Sequence, residues 1–167
     1  MAVQLKLLIL DTSLKQRNTI KRALAHLNVF KVLEVKNSEE ALSLLKKQAV
    51  DLIITGLNVG NIDGWRFARM IRSGLLRTPK NTPIVLTASN HFERIADTTA
   101  RSYGIDAVVT EQKMQQLPQI LANVLSSHLE KSSRLNLLLI EPDQNQADEI
   151  ASYLKETNYF QSGGTTL

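Results

Sequence analysis

The chain of 167 residues contains no cysteine. That excludes disulfides, thiol nucleophiles, iron–sulfur clusters and cysteine-based zinc sites. Long hydrophobic runs are also missing. A membrane-crossing helix needs about 20 apolar residues, and stretches such as Leu7-Leu8-Ile9-Leu10 are far shorter. Glycine and proline are sparse, at 7 and 4 residues, so a collagen-like chain does not fit. No run of five like charges occurs, which removes the signature of a charged disordered tail. Met1-Ala2-Val3-Gln4-Leu5-Lys6 runs straight into a strand-like segment and leaves no room for a signal peptide. A cytoplasmic setting is the expectation.

What is present is an ordinary globular composition, 43% hydrophobic and 22% charged. The length suits one domain plus a fragment. The net charge is +4 and the pI about 9.4. The densest basic group, Arg66, Arg69 and Arg72, has helical spacing and reads as one solvated helix face. No helix-turn-helix signal accompanies it, so direct nucleic-acid binding is not expected. His26, His91 and His128 match no ligand spacing. No G-x-G-x-x-G or Walker motif supplies a phosphate cradle.

Apolar periodicity alternates between two kinds of segment. Short continuous runs at 5–10, 32–35, 51–55, 83–87 and 106–110 read as strands buried on both faces. Between them, spacings of three and four predict helices over 14–26, 38–48, 65–72, 92–103 and 117–129. Ser38 is expected to cap the second helix, with Glu39 and Glu40 in its first turn. Gly74 is expected at the end of the third helix, and Asp63-Gly64 as a tight turn before it. The pattern is (βα)5. It predicts an α/β fold, a doubly wound five-stranded parallel sheet in the order 2-1-3-4-5, over residues 1–129. In such sheets ligands bind outside the carboxyl ends of the strands, which directs attention to Asp11, Thr12 and residues 55–57, 87–89 and 110–111.

The remainder repeats the beginning. Leu5, Leu7, Leu8, Gln16, Ile20, Leu24, Asn28 and Phe30 recur without gaps as Leu135, Leu137, Leu138, Gln146, Ile150, Leu154, Asn158 and Phe160. Residues 130–134 are expected to be a linker, and 135–167 the first β-α unit of a second, incomplete copy. One strand and one helix cannot bury their apolar faces alone, so the expectation is either that the sequence is cut short within the second copy, or that this piece docks on the first domain or on another chain.

The strings Leu-Leu-Ile-Leu-Asp11, Asp51-Leu-Ile-Ile through Asp63-Gly64, Pro83-Ile-Val-Leu-Thr-Ala88 and Gly104-Ile-Asp-Ala-Val-Val109 resemble the response-regulator receiver family, the CheY-like phospho-acceptor domain. The resemblance covers about residues 4–129. It implies two adjacent acids after the first strand, an acceptor Asp after the third, a hydroxyl after the fourth and a Lys after the fifth. Here the first acid is Asp11, but Thr12 stands at the second. Gly56 stands at the acceptor position, Thr87 keeps the hydroxyl, and Glu111 occupies the Lys position. Val108 stands where the family carries its switch aromatic.

Each change has a chemical consequence. Glycine has no nucleophile with which to form an acyl phosphate. Mg²⁺ sites of this type use one or two carboxylates and phosphate oxygens, and only Asp11 and the carbonyl of Asn58 remain as donors. Glu111 reverses the charge that would neutralise a phosphoryl group. In the second copy, Glu141 matches the first acid, Pro142 the second, and Asp143 is displaced by one.

The expectation is therefore a degenerate receiver, a non-enzymatic signalling module that works without phosphorylation and without Mg²⁺. Its expected partners are a histidine kinase, a phosphotransfer domain or an output domain, with no membrane contact. The resemblance implies docking or dimerisation through the face of the fourth helix, fifth strand and fifth helix. Two alternatives stay open: a sensor of a small anion or ligand in the reused pocket, and an atypical receiver that is still phosphorylated.

Overall fold

The computed structural model describes residues 4–131. Five strands form one parallel sheet: β1 (Leu5–Leu10), β2 (Phe30–Val35), β3 (Leu52–Gly56), β4 (Ile84–Ala88) and β5 (Ala107–Thr110). Five helices connect and cover them: α1 (Leu14–Ala23), α2 (Ser38–Lys47), α3 (Gly64–Arg72), α4 (Glu93–Ser102) and α5 (Leu117–Lys131). The strand order is β2-β1-β3-β4-β5. Register runs Leu8 opposite Leu33 and Ile53, and Thr55 opposite Leu86.

The alternating direction of strand side chains divides the core into two layers. Leu8, Leu10, Ile53, Ile84 and Leu86 pack with Ala41 and Leu45 of α2, Phe67, Ala68 and Ile71 of α3, and Ala100 of α4. Leu7, Ile9, Leu52, Ile54, Val85 and Val109 pack with Ile20 of α1 and with Leu117, Leu121 and Val124 of α5. Both faces of the central strands are thus dry, as their unbroken apolar sequences require.

The strand entrances are closed by two aspartates in the same way. The Asp51 amide donates to the Lys6 carbonyl, while its carboxylate accepts from the Lys6 amide at 2.7 Å. The Asp106 amide donates to the Ile84 carbonyl, and its carboxylate accepts from the Ile84 amide at 2.8 Å. Each side chain satisfies a backbone donor that the ladder would otherwise leave open at its first rung.

Several local expectations are corrected. The cap of α2 is Asn37, whose side-chain oxygen accepts from the Glu40 amide at 2.9 Å; Ser38 is already helical and buried. Asp63 and Gly64 do not form a free turn. Asp63 caps α3 by accepting from the Arg66 amide, and Gly64 is the first helical residue. A Cβ at Gly64 would collide with the Gly56 carbonyl oxygen, so the helix can approach the strand this closely only with glycine there. β2 begins two residues earlier than its apolar run suggested, α1 is shorter by three residues, and a 3₁₀ turn, Asn90–Phe92, precedes α4. α5 continues to Lys131, inside the segment 130–134 expected to be linker. The remaining residues of that linker and of the second copy lie outside the described residues.

Arg72 leaves the solvated basic face assigned to it. Its guanidinium donates to the carbonyls of Gly104 (2.6 Å), Lys80 (2.7 Å) and Thr82 (2.6 Å) and to the Asp106 carboxylate (3.1 Å). Burial pushes its pKa below the usual arginine range, with the charge of Asp106 opposing that shift. One side chain thereby ties α3 to the strand entrances of β4 and β5. Gly104 has φ +73°, and a Cβ there would lie 2.8 Å from Arg72 Nε. Arg72→Ala strands three carbonyls and a carboxylate, and is expected to cost about 2–3 kcal/mol. A thermal melt should show a Tm lower by about 10 °C, against little change for Arg66→Ala on the exposed face.

Candidate functional site

The carboxyl ends of β1, β3, β4 and β5 meet at one edge of the sheet. Asp11 follows β1 and is 9% exposed. Its Oδ1 accepts from the Ser13 amide at 2.8 Å, and Ser13 in turn caps α1 by accepting from the Gln16 amide. Arg17, not singled out in the sequence, donates to the Asp11 backbone carbonyl at 2.7 Å and also pairs with Glu34. Only its position one and a half turns beyond Asp11 could have signalled it. Burial raises the Asp11 pKa above the ordinary aspartate value, while the Ser13 amide and the charge of Arg17 oppose the rise.

Gly56 ends β3 beside Asp11. A Cβ added at Gly56 would lie 2.5 Å from Asp11 Oδ2 and 3.2 Å from its Cγ. The Asp11 carboxyl therefore fills the space into which a side chain at position 56 would project. Gly56 is opposite Thr87 in the ladder, and the Thr87 hydroxyl donates to the Thr55 carbonyl at 3.4 Å. The Thr12 hydroxyl donates to the Asn58 carbonyl at 3.5 Å. Asn58 also bridges to Asp63.

Asp11, Thr12, Gly56, Asn58 and Thr87 are thus brought together. Glu111 is exposed, at the start of the 3₁₀ turn Glu111–Gln116 after β5. Beside it, among the described residues, the Thr110 hydroxyl is the buried side-chain oxygen without a hydrogen-bond partner. The Gln112 amide donates to Asn90 Oδ1 at 3.2 Å, which links this turn to the one before α4. Among the described residues no three His, Asp or Glu side chains gather as a metal would require. Val108 is half-buried against the α2–α4 core layer. Trp65 adjoins Gly64, but its ring turns to Tyr103, with centroids 5.4 Å apart. Arg69 lies over the same Tyr103 ring at 5.2 Å. Glu141 and Asp143 lie outside the described residues.

A parallel five-stranded sheet in this order, with helices on both faces, is the CheY-like flavodoxin fold. The family described as "Response regulator receiver domain" matches residues 7–124. The chain belongs to that family.

A relative in Cyanophora paradoxa, named "Probable transcriptional regulator ycf29", is 29% identical over 147 residues, covering 82% of this chain and 67% of the relative. Among solved structures, the receiver domain of an HD domain-containing protein from Pseudomonas fluorescens superposes with a TM-score of 0.67 at 19% identity, covering 81% of this chain and 96% of that one. The receiver domain of the sensor histidine kinase PA1611 from Pseudomonas aeruginosa, solved with a magnesium ion in its active-site cleft, gives 0.62 at 18%, covering 74% and 98%. CheY4 of Vibrio cholerae gives 0.58 at 20%, covering 71% and 99%.

Two outcomes follow from the seating of Asp11. Because its folded pKa is raised, the native state holds the proton more tightly than the unfolded chain, so this group's contribution to stability falls as pH rises through the carboxylate range. Asp11→Asn keeps an acceptor for Ser13. It should raise the Tm at pH 7, and the gap from wild type should close as melts are repeated towards pH 4. Gly56→Ala forces the carboxyl out of its seat and should cost about 1–2 kcal/mol in denaturant unfolding. In an Asp11→Ala background the same change should cost little, giving a coupling of similar size in the double-mutant cycle.

Proposed function

We propose that this chain is a receiver-type signalling domain that acts through its surfaces and not through aspartyl phosphorylation. The observation that carries this reading is the Asp11–Gly56 contact. The position from which an acceptor carboxylate would project has no side chain, and its space holds the carboxyl of Asp11. Thr55 does not replace the acceptor. It is fully buried, and its hydroxyl is turned to the Gly56 carbonyl at 3.1 Å.

The residues present do not fit a magnesium ion. Such a site needs an octahedron of oxygens that includes one or two carboxylates and a phosphate. This chain offers one carboxyl at Asp11, whose burial disfavours its charged form, and positions 12 and 56 carry Thr and Gly in place of further carboxylates. Glu111 at the rim adds negative charge where a phosphoryl oxygen would approach. No phosphoryl step is assigned to this domain, and it is not an enzyme in this reading.

Residues 1–129 then form the receiver-like domain, and residues from Leu135 begin a second copy. Glu141 and Asp143 lie at its acid position. Partners would be a histidine kinase, a phosphotransfer domain or an output domain in a cytoplasmic pathway. Docking or dimerisation would use the face of α4, β5 and α5. The name of the Cyanophora relative supports an output in transcription.

A second reading has one observation in its favour. The buried Thr110 hydroxyl lacks a partner at the strand ends, as a donor awaiting a small ligand would. The adjacent Glu111 makes that ligand neutral or cationic better than anionic.

The test is incubation of the chain with Mg²⁺ and a small-molecule phosphodonor, followed by phosphate-affinity electrophoresis. No shifted band is expected, and Trp65 fluorescence should stay flat on adding Mg²⁺ and beryllofluoride. A base-labile phosphorylated species would overturn the proposal and assign the switch to another carboxylate.

A further inference from the structure

The surface of α1 carries a charge imbalance that the rest of the described residues do not resolve. The helix holds Lys15, Arg17, Lys21 and Arg22 and no carboxylate. Lys15 and Arg17 stand in its first turn, where the helix dipole already presents positive partial charge, so their placement is unfavourable by itself. Glu34 answers two of the four: it binds Lys21 at 2.6 Å and Arg17 at 3.3 Å, and these contacts hold its pKa below the ordinary range. Lys15 and Arg22 are exposed and form no ion pair with another described residue. Together with Leu14, Asn18, Lys21 and Ala25 they line an open groove along the helix. Leu14 at its end is 59% exposed. Cations that flank exposed apolar surface suit an acidic segment with apolar neighbours.

The chain itself contains such a segment. Residues 141–149 read Glu-Pro-Asp-Gln-Asn-Gln-Ala-Asp-Glu, with Glu141, Asp143, Asp148 and Glu149 and no cation. The apolar string Leu135–Ile140 precedes it. Reach is not limiting. α5 lies on the same side of the sheet as α1, in the same core layer, and ends at Lys131. The ten residues from there to Glu141 span up to roughly 35 Å when extended, whereas α1 is only about 15 Å long.

We propose that the acidic segment 141–149 docks in the α1 groove of its own chain, with carboxylates facing Lys15 and Arg22. The segment thereby covers a cationic surface that a separate acidic partner would otherwise use. Tethering favours this occupant, because a linked segment is present at millimolar effective concentration.

The absence of cysteine makes a direct test available. In the full chain, Asn18→Cys combined with Asn145→Cys should form an intramolecular disulfide on mild oxidation, read as a fast-migrating monomer on a non-reducing gel. Formation should be at least fivefold faster than for Lys46→Cys with Asn145→Cys, whose first cysteine lies on exposed α2 across the sheet. Adding Lys15→Glu and Arg22→Glu should slow the reaction to the level of that control. Reversing the four acids as well, with Glu141→Lys, Asp143→Lys, Asp148→Lys and Glu149→Lys, should restore it. All the altered groove positions are exposed, and a thermal melt of each variant checks that the fold is intact. Equal rates at the two sites, indifference to charge reversal or failure of the double reversal to restore the reaction would overturn the proposal. So would a product found only as a dimer and rising with protein concentration, which would assign the groove to a second copy.

Discussion

Leu7 to Leu10, Leu52 to Ile54 and Ile84 to Leu86 have no solvent exposure. A sheet with such strands at its centre must be covered on both sides, and this constraint organises everything else. It requires crossover helices on alternate faces. It sends α1 and α5 to one layer and α2, α3 and α4 to the other. It also brings every strand-to-helix turn to one edge, so that residues distant in sequence become neighbours without any dedicated scaffold.

At that edge, the chain's own polar groups contact one another. Asp11 occupies the space beside Gly56, the Thr12 hydroxyl reaches the Asn58 carbonyl, and Thr87 reaches the Thr55 carbonyl. A buried polar site left half-satisfied is costly, and the seating of Asp11 beside Gly56 depends on the absence of a side chain at position 56. At the opposite edge, Asp51, Asp106 and Arg72 close the strand entrances with charge-assisted bonds to backbone groups. The two edges of the sheet thus put the same residue types to different uses, one for stability and one for a site.

Much of this was legible beforehand. The doubly wound parallel sheet and its two-faced burial followed from short apolar runs alternating with helical spacing, and the family resemblance from the strings that end at Asp11 and Gly64 and begin at Pro83 and Gly104. The positions Asp11, Gly56 and Thr87 followed from the ends of those runs. Boundaries were less legible. Ser38 and Asn37 both suit a cap, and the choice depended on which one the Val59 carbonyl could reach: it accepts from the Ser38 amide at 2.6 Å. Arg72 has the same spacing as Arg66 and Arg69, yet it is buried among carbonyls supplied from 8 to 32 residues away.

The class of fold and the glycine at the end of β3 could be read directly from the chain, because both depend on local facts: apolar periodicity, and a residue with no side chain. What fills the space beside Gly56, and which of several similar charges are structural, emerged only from the packed molecule. Those outcomes depend on distances between segments far apart in the chain, on Asp11 Oδ2 against Gly56 and on Arg72 against Gly104. No local pattern encodes such distances, because each is set by the packing of two helical layers on one sheet.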